Sequence, residues 1–145
     1  MIEVVLALGI FLIVIGIGAE VLVSYYVAID MTRQRSSAVQ DCIGVLNEMR
    51  DVRAGNPGGF PGPLVAKWPQ GAVLEDAPFT PDEQRITSLP GESLTIAYLD
   101  ENGNLIGGDP TAANNPLQVR VTCTWATTKT GRVGTASVST MFTNE

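Results

Sequence analysis

The chain contains no histidine, which removes every His-based catalytic triad and the usual zinc sites. No Gly-rich phosphate loop opens a helix. The Gly/Pro cluster at 55–63 lacks the Lys-Ser/Thr pair of such loops and follows a helix instead. Basic residues are few, nine Lys and Arg against fifteen Asp and Glu, for a net charge of −6. Phosphate backbones are held by basic groups gathered on one face, and none are gathered here, so nucleic acid is not an expected partner. Aromatic side chains make up 6% of the chain, too sparse for a stacked conductive path. Cysteine is limited to Cys42 and Cys123. Nothing in this inventory supports catalysis, a cofactor or a resident metal.

What the sequence does have is one long apolar run. Sixteen residues without a charge, Val4 to Ala19, follow almost directly on a lone acid, Glu3. A carboxylate at the lip of hydrocarbon costs about 2.5 kcal/mol or more on insertion scales, and a plain membrane anchor gains nothing from it. The acid is therefore expected to meet a specific partner rather than only the dipole of its own helix. The run is not a typical secretory signal, because it has no basic segment before it and no A-x-A pattern after it. Arg33 and Arg35 are the first basic residues, and on the positive-inside rule alone they would hold the C-terminal part in the cytoplasm.

Residues 1 to about 53 read as one helix of two characters. Residues 1–26 are apolar on all sides, as expected of a helix that meets lipid or other helices all round. Over 27–53 the pattern changes: Ala38, Cys42, Val45, Met49 and Val52 recur at spacings of four and three and line one face. Arg33, Gln34, Ser37, Gln40, Asp41, Asn47 and Glu48 occupy the other side. At 1.5 Å per residue such a helix reaches about 75 Å, far beyond a bilayer of about 30 Å. Glu20 is expected to mark the membrane surface.

The run Ala54-Gly55-Asn56-Pro57-Gly58-Gly59-Phe60-Pro61-Gly62-Pro63 ends the helix. Residues 54–92 read as a Gly/Pro-rich connection, irregular from 64 onward, pinned by Val65, Trp68, Val73, Leu74 and Phe79. Residues 93–145 read as an antiparallel meander with one buried side. Leu94, Ile96 and Tyr98 alternate in the first strand. Val119, Val121, Cys123 and Trp125 do so over 118–127, and Ala136, Val138 and Phe142 share a face over 132–142. Turns are expected at Asp100-Glu101-Asn102-Gly103-Asn104 and at Thr128-Lys129-Thr130-Gly131. The fold class is α+β: a long N-terminal helix whose amphipathic second half packs on a small antiparallel sheet. At 145 residues this is one globular head plus an anchor.

Asp100, Asn102 and Asn104, with Asp109 beyond, place oxygen ligands at alternate positions and are a weak calcium candidate. Leu105 stands where an EF-hand needs Gly, and Thr111 where it needs Glu, so a plain Asx turn is the preferred reading. Cys42 and Cys123 lie on the apolar faces of their elements. A helix-to-sheet disulfide and two buried thiols are both open.

Ile2-Glu3-Val4-Val5-Leu6-Ala7-Leu8-Gly9-Ile10 resembles the N-terminal signature of type IV pilins and the pseudopilins of type II secretion. The likeness is specific over roughly the first fifteen residues and looser beyond. It implies a pilin-like fold in which Val4, Val5, Leu6, Leu8, Ile10, Phe11, Leu12 and Ile13 form the filament-core helix. Glu3 matches the acid with which the family neutralises the N-terminal amine of a neighbouring subunit. The family's mature chain has four residues before that acid, so Met1 matches the third of these, and a basic, cleaved leader is expected upstream. That leader would reverse the cytoplasmic placement of the C-terminal part. Where many members carry a helix-breaking proline this chain has Glu20, leaving Gly16 and Gly18 as soft points.

The resemblance implies a structural subunit of a type IV pilus-like filament, with identical or homologous pilin subunits as partners in a helical homopolymer. It also implies a prepilin peptidase, an inner-membrane assembly platform and a cytoplasmic ATPase. The location implied is the bacterial inner membrane before assembly and an extracellular or periplasmic filament after it. The Val-Arg-Val-Thr-Cys-Thr-Trp strand and the Ser/Thr-rich last strand look like minor pilins and pseudopilins of the V and I types, an alternative within the same class. From a different class, the rival is a single-pass, membrane-anchored periplasmic binding module acting as a monomer.

Overall fold

A computed structural model describes residues 2–75, 89–111, 113–127 and 133–143. Its first element, α1, runs Ile2–Gly55. It ends because Asn56 and Pro57 follow: proline has no N–H to donate and excludes the preceding residue from helical geometry. The Asn56 N–H closes the last turn on the Arg53 carbonyl at 3.0 Å. Arg53 in that turn is a cation at the negative end of the helix dipole.

By contacts the chain forms two units, Met1–Gln34 and Arg35–Glu145. The first is helical throughout the residues described. The second holds the core. Four strands, β1 (Val73–Glu75), β2 (Ser93–Leu99), β3 (Leu117–Ala126) and β4 (Val133–Phe142), form one antiparallel sheet in the order β1-β2-β3-β4. The structure is thus α+β, with a long apolar N-terminal helix and a four-stranded antiparallel sheet.

The buried faces follow the alternation in the sequence. Leu94, Ile96 and Tyr98 of β2 are sealed, as are Val119, Val121, Cys123 and Trp125 of β3 and Ala136 and Phe142 of β4. Ala38, Cys42, Val45, Leu46 and Met49 of α1 cover them, with Val52 and Val138 partly buried at the margin. Leu46 widens the expected helical stripe by one position. Arg50 Nη2 donates to Thr140 Oγ1 at 3.0 Å, and Arg53 donates to the Thr143 carbonyl, fastening the end of α1 to β4.

Between helix and sheet the structure is more regular than the sequence suggests. A 3₁₀ turn (Pro57–Gly59) and a short helix α2 (Gly62–Lys67) precede β1, so 64–67 and 73–75 are regular and only 68–72 between them is irregular. The anchors of this stretch are Leu64 and Trp68, both buried, with Leu74 packed behind them. Val73, expected to help, is exposed. Phe79 and the Thr128–Gly131 turn lie outside the described residues. Gln70 ties the stretch down: its Oε1 accepts the Tyr98 N–H at 2.7 Å and its Nε2 donates to the Ile106 carbonyl at 3.2 Å.

Candidate functional site

Glu3 sits in the first turn of α1, where a carboxylate meets the positive end of the helix dipole. Behind it Val4, Val5, Leu6, Leu8, Ile10, Phe11, Leu12 and Ile13 are all exposed, Phe11 at 60% of its surface. This half of α1 is long and apolar enough to cross a membrane, and none of its most hydrophobic window is buried within the chain. Over residues 4–26 the rise comes to about 35 Å, slightly more than a hydrocarbon core of about 30 Å.

An ordinary surface helix hides an apolar stripe and shows a polar one. Here every side is apolar and every side is bare. Full burial of one such side chain is worth about 1.5–3 kcal/mol, so a helix like this is stable only where lipid or other protein covers it. Its glycines point the same way. A Cβ added at Gly9, Gly16 or Gly18 meets nothing within 4 Å, so nothing in the chain itself requires a small residue. Each costs about 1 kcal/mol of helix propensity relative to Ala. Close approach of another helix is the usual return on that cost. Gly16 and Gly18 stay helical.

The expected turn at 100–104 is an Asx turn. Asp100 Oδ1 accepts the N–H of Asn102 at 2.9 Å and of Asn104 at 2.8 Å, while Oδ2 accepts from Asn104 Nδ2 at 3.2 Å. These bonds hold the Asp100 carboxyl below its usual range, the Asn104 backbone contributing most. Gly103, at φ 81°, takes the left-handed position that such a turn requires. Asn104 donates to Asp100 rather than converging with it on a common centre. Among the described residues no group of three or more Cys, Asp or Glu is placed to hold a metal ion. The adjacent open cleft, lined by Asp100, Glu101 and Ala113 to Pro116, holds about 180 Å³, below the ~300 Å³ where ordinary ligand pockets begin.

Inside the core the structure assembles a second cluster, one member of which sequence reasoning missed. Cys42 of α1 and Cys123 of β3 are buried free thiols. Glu92, just before β2, is 2% exposed. Its Oε1 accepts the Cys123 S–H at 3.0 Å and its Oε2 the Leu89 N–H at 2.8 Å. Cys42 and Cys123 belong to the same buried core cluster. Burial first, and the Glu92 charge second, push Cys42 up to about 11. Burial and the Glu92 hydrogen bond push Cys123 up as well. A signal for Glu92 existed: it has the parity of Leu94, Ile96 and Tyr98 and extends the buried face by one step. An acid beside a Pro-Gly turn is ordinarily solvated, whereas this one is buried.

No family model, curated protein or solved structure matches the chain.

Proposed function

We propose that this protein is a structural subunit of a type IV pilus-like filament that polymerises through the first half of α1. The observation that carries the reading is the pairing of Glu3 with an apolar half-helix that no described part of the chain covers. Lipid covers that surface before assembly, and neighbouring copies of the same helix cover it afterwards. Hydrocarbon and packed helices are equally apolar, so the exchange itself has little driving force. Specificity must come from close packing at Gly9, Gly16 and Gly18 and from the one charge.

Glu3 supplies that specificity electrostatically. Its cost in an apolar setting is about 2.5 kcal/mol. A cationic amine about 4 Å away returns about 4 kcal/mol at an effective dielectric near 20, so the acid is a net liability alone and an asset when paired. The N-terminal amine of a second subunit is the partner in this reading. Repetition of a head-to-tail contact that does not close gives a helical polymer. A peptidase that frees the amine, a membrane platform and a cytoplasmic ATPase that extracts the helix from lipid complete the machinery. The heads carry no chemistry in this scheme and present the filament surface.

The test compares wild type with Glu3→Ala and Glu3→Asp by immunoblot of the sheared surface fraction and the membrane fraction. Wild type divides between the two, and Glu3→Ala is confined to the membrane. Glu3→Asp retains a reduced share of the sheared fraction. Confinement of all three to the membrane fraction would leave a membrane-anchored monomeric module as the better reading, and an undiminished sheared share in Glu3→Ala would overturn the role given to the acid.

A further inference from the structure

Past the uncharged run, Glu20 and Arg33 are exposed on α1. Among the described residues neither side chain has a hydrogen bond or an ion pair. Both belong to the first unit of the chain. Their thirteen-residue separation sets them about 20 Å apart along the helix and about 140° apart around it. Opposite charges on opposite sides of one helix cannot meet within it, but they can meet between parallel copies displaced along the axis.

Each charge ends a stripe of the same spacing. Gly9, Ile13, Gly16 and Glu20 follow at steps of four, three and four, and so do Leu22, Tyr26, Ile29 and Arg33. Either set stays within about 60° of arc, as the seam of a packed helix pair does. A displacement of thirteen residues brings all four levels into register together, Gly9 with Leu22, Ile13 with Tyr26, Gly16 with Ile29 and Glu20 with Arg33. One stripe has gaps where the other has bulk. A Cβ at Gly9 or Gly16 meets nothing within 4 Å, whereas Leu22 and Tyr26 stand 58% and 66% exposed.

We propose that the two stripes are the complementary halves of one head-to-tail interface between parallel copies of this chain, locked by a Glu20–Arg33 ion pair. The inference rests on the filament reading and specifies one contact within it. Copies anchored in one membrane share an orientation, so parallel packing is imposed. At equal depth Glu20 lies level with Glu20, and the neighbour's Arg33 is about 20 Å away, beyond a Debye length of about 8 Å. The pair closes only when one copy is drawn out of lipid by about 20 Å. Its Glu20 then stands level with Arg33 of a copy still inserted, so the contact favours the assembling arrangement over association within the bilayer. Because the two stripes differ, each pairing leaves one of either kind free, and repetition extends the polymer. The Glu3 contact with an amine needs a displacement of only a few residues and so belongs to a different neighbour in the helical array.

Cells producing the full chain are sheared, and the surface and membrane fractions are immunoblotted. Glu20→Arg and Arg33→Glu should each lower the sheared share by about tenfold or more, because like charges then face each other. The double exchange should return it to within about threefold of wild type. Ile13→Cys combined with Tyr26→Cys reads the same interface without loss of assembly. Mild oxidation should link sheared material of that variant into a ladder of covalent multimers, while Ile13→Cys with Leu22→Cys, one turn out of level, should give none. Wild type serves as the blank, since Cys42 and Cys123 are buried. Single charge variants that assemble like wild type would overturn the proposal, as would a double exchange no better than either single. Sheared wild-type material with no ladder from the Ile13–Tyr26 pair would overturn this contact and leave the filament reading standing. Absence of sheared material from wild type would remove both. If the charge variants are lost from the membrane, the ladder decides.

Discussion

Gly134 faces Trp125 across the β3–β4 register, and a methyl group there has nowhere to go. An ideal Cβ at Gly134 falls 2.3 Å from Trp125 Cε2, 2.4 Å from Cζ2 and 2.7 Å from Nε1. Carbon atoms in contact sit about 3.5–4.0 Å apart, so the indole must withdraw by more than about 1 Å. Trp125 is 5% exposed and lies in the core cluster, which leaves no free space inward. Forced repacking of this kind costs about 1–3 kcal/mol. Against it stands the benefit of removing a glycine from the unfolded chain, about 0.4–1 kcal/mol. The steric term wins, and Gly134→Ala should destabilise the head by about 1–2 kcal/mol. The assay is urea unfolding followed by tryptophan fluorescence. Both tryptophans, Trp68 and Trp125, lie in the second unit, so the signal reports the head and not the apolar helix. Trp125→Leu should remove most of the penalty for the alanine, giving a coupling energy in a double-mutant cycle. A midpoint for Gly134→Ala equal to or above wild type would refute the steric reasoning.

Two further outcomes follow from the core. Tyr98 Oη donates to the Trp68 carbonyl at 2.7 Å in a buried setting, so Tyr98→Phe orphans that carbonyl and should cost about 1–3 kcal/mol in the same urea assay. The core should also be sensitive to alkali. Cys42 is raised from 9.0 to about 11, mainly by burial, and Tyr98 is raised by burial and then by Asp109. The folded state holds these protons more tightly than the unfolded state, so their contribution is complete below pH 9 and is lost as pH rises above it. Cys42 alone accounts for about 3 kcal/mol between pH 9 and about 11. Urea midpoints measured from pH 8 to 11 should be flat at first and then fall, with a shallower fall in Cys42→Ala than in wild type.

The parts legible in the sequence are those where one face is buried over several repeats. Ala38, Cys42, Val45 and Met49 declare a helical face, and Leu94, Ile96 and Tyr98 declare a strand face, because burial forces the 3.6 and 2.0 periods. The elements α2 and β1 escaped because six and three residues respectively are too few to display a period, and the prolines around them read as loop. The Trp125–Gly134 contact was invisible because it depends on cross-strand register, which alternation alone does not fix. Glu3 stood out for the opposite reason: charge in an apolar run is conspicuous without any structure. Glu92 was legible only by extending the β2 alternation back across Ser93, against the ordinary expectation that an acid beside a turn is solvated.

Coverage of the bare half of α1 by other copies of itself can be seen by electron microscopy of surface material sheared from cells producing the chain. Thin helical filaments that bind antibody against the head along their length are expected in wild-type material, and none from Glu3→Ala cells. A wild-type preparation with no filaments, from cells that hold the intact chain as a monomer in the membrane, would contradict it.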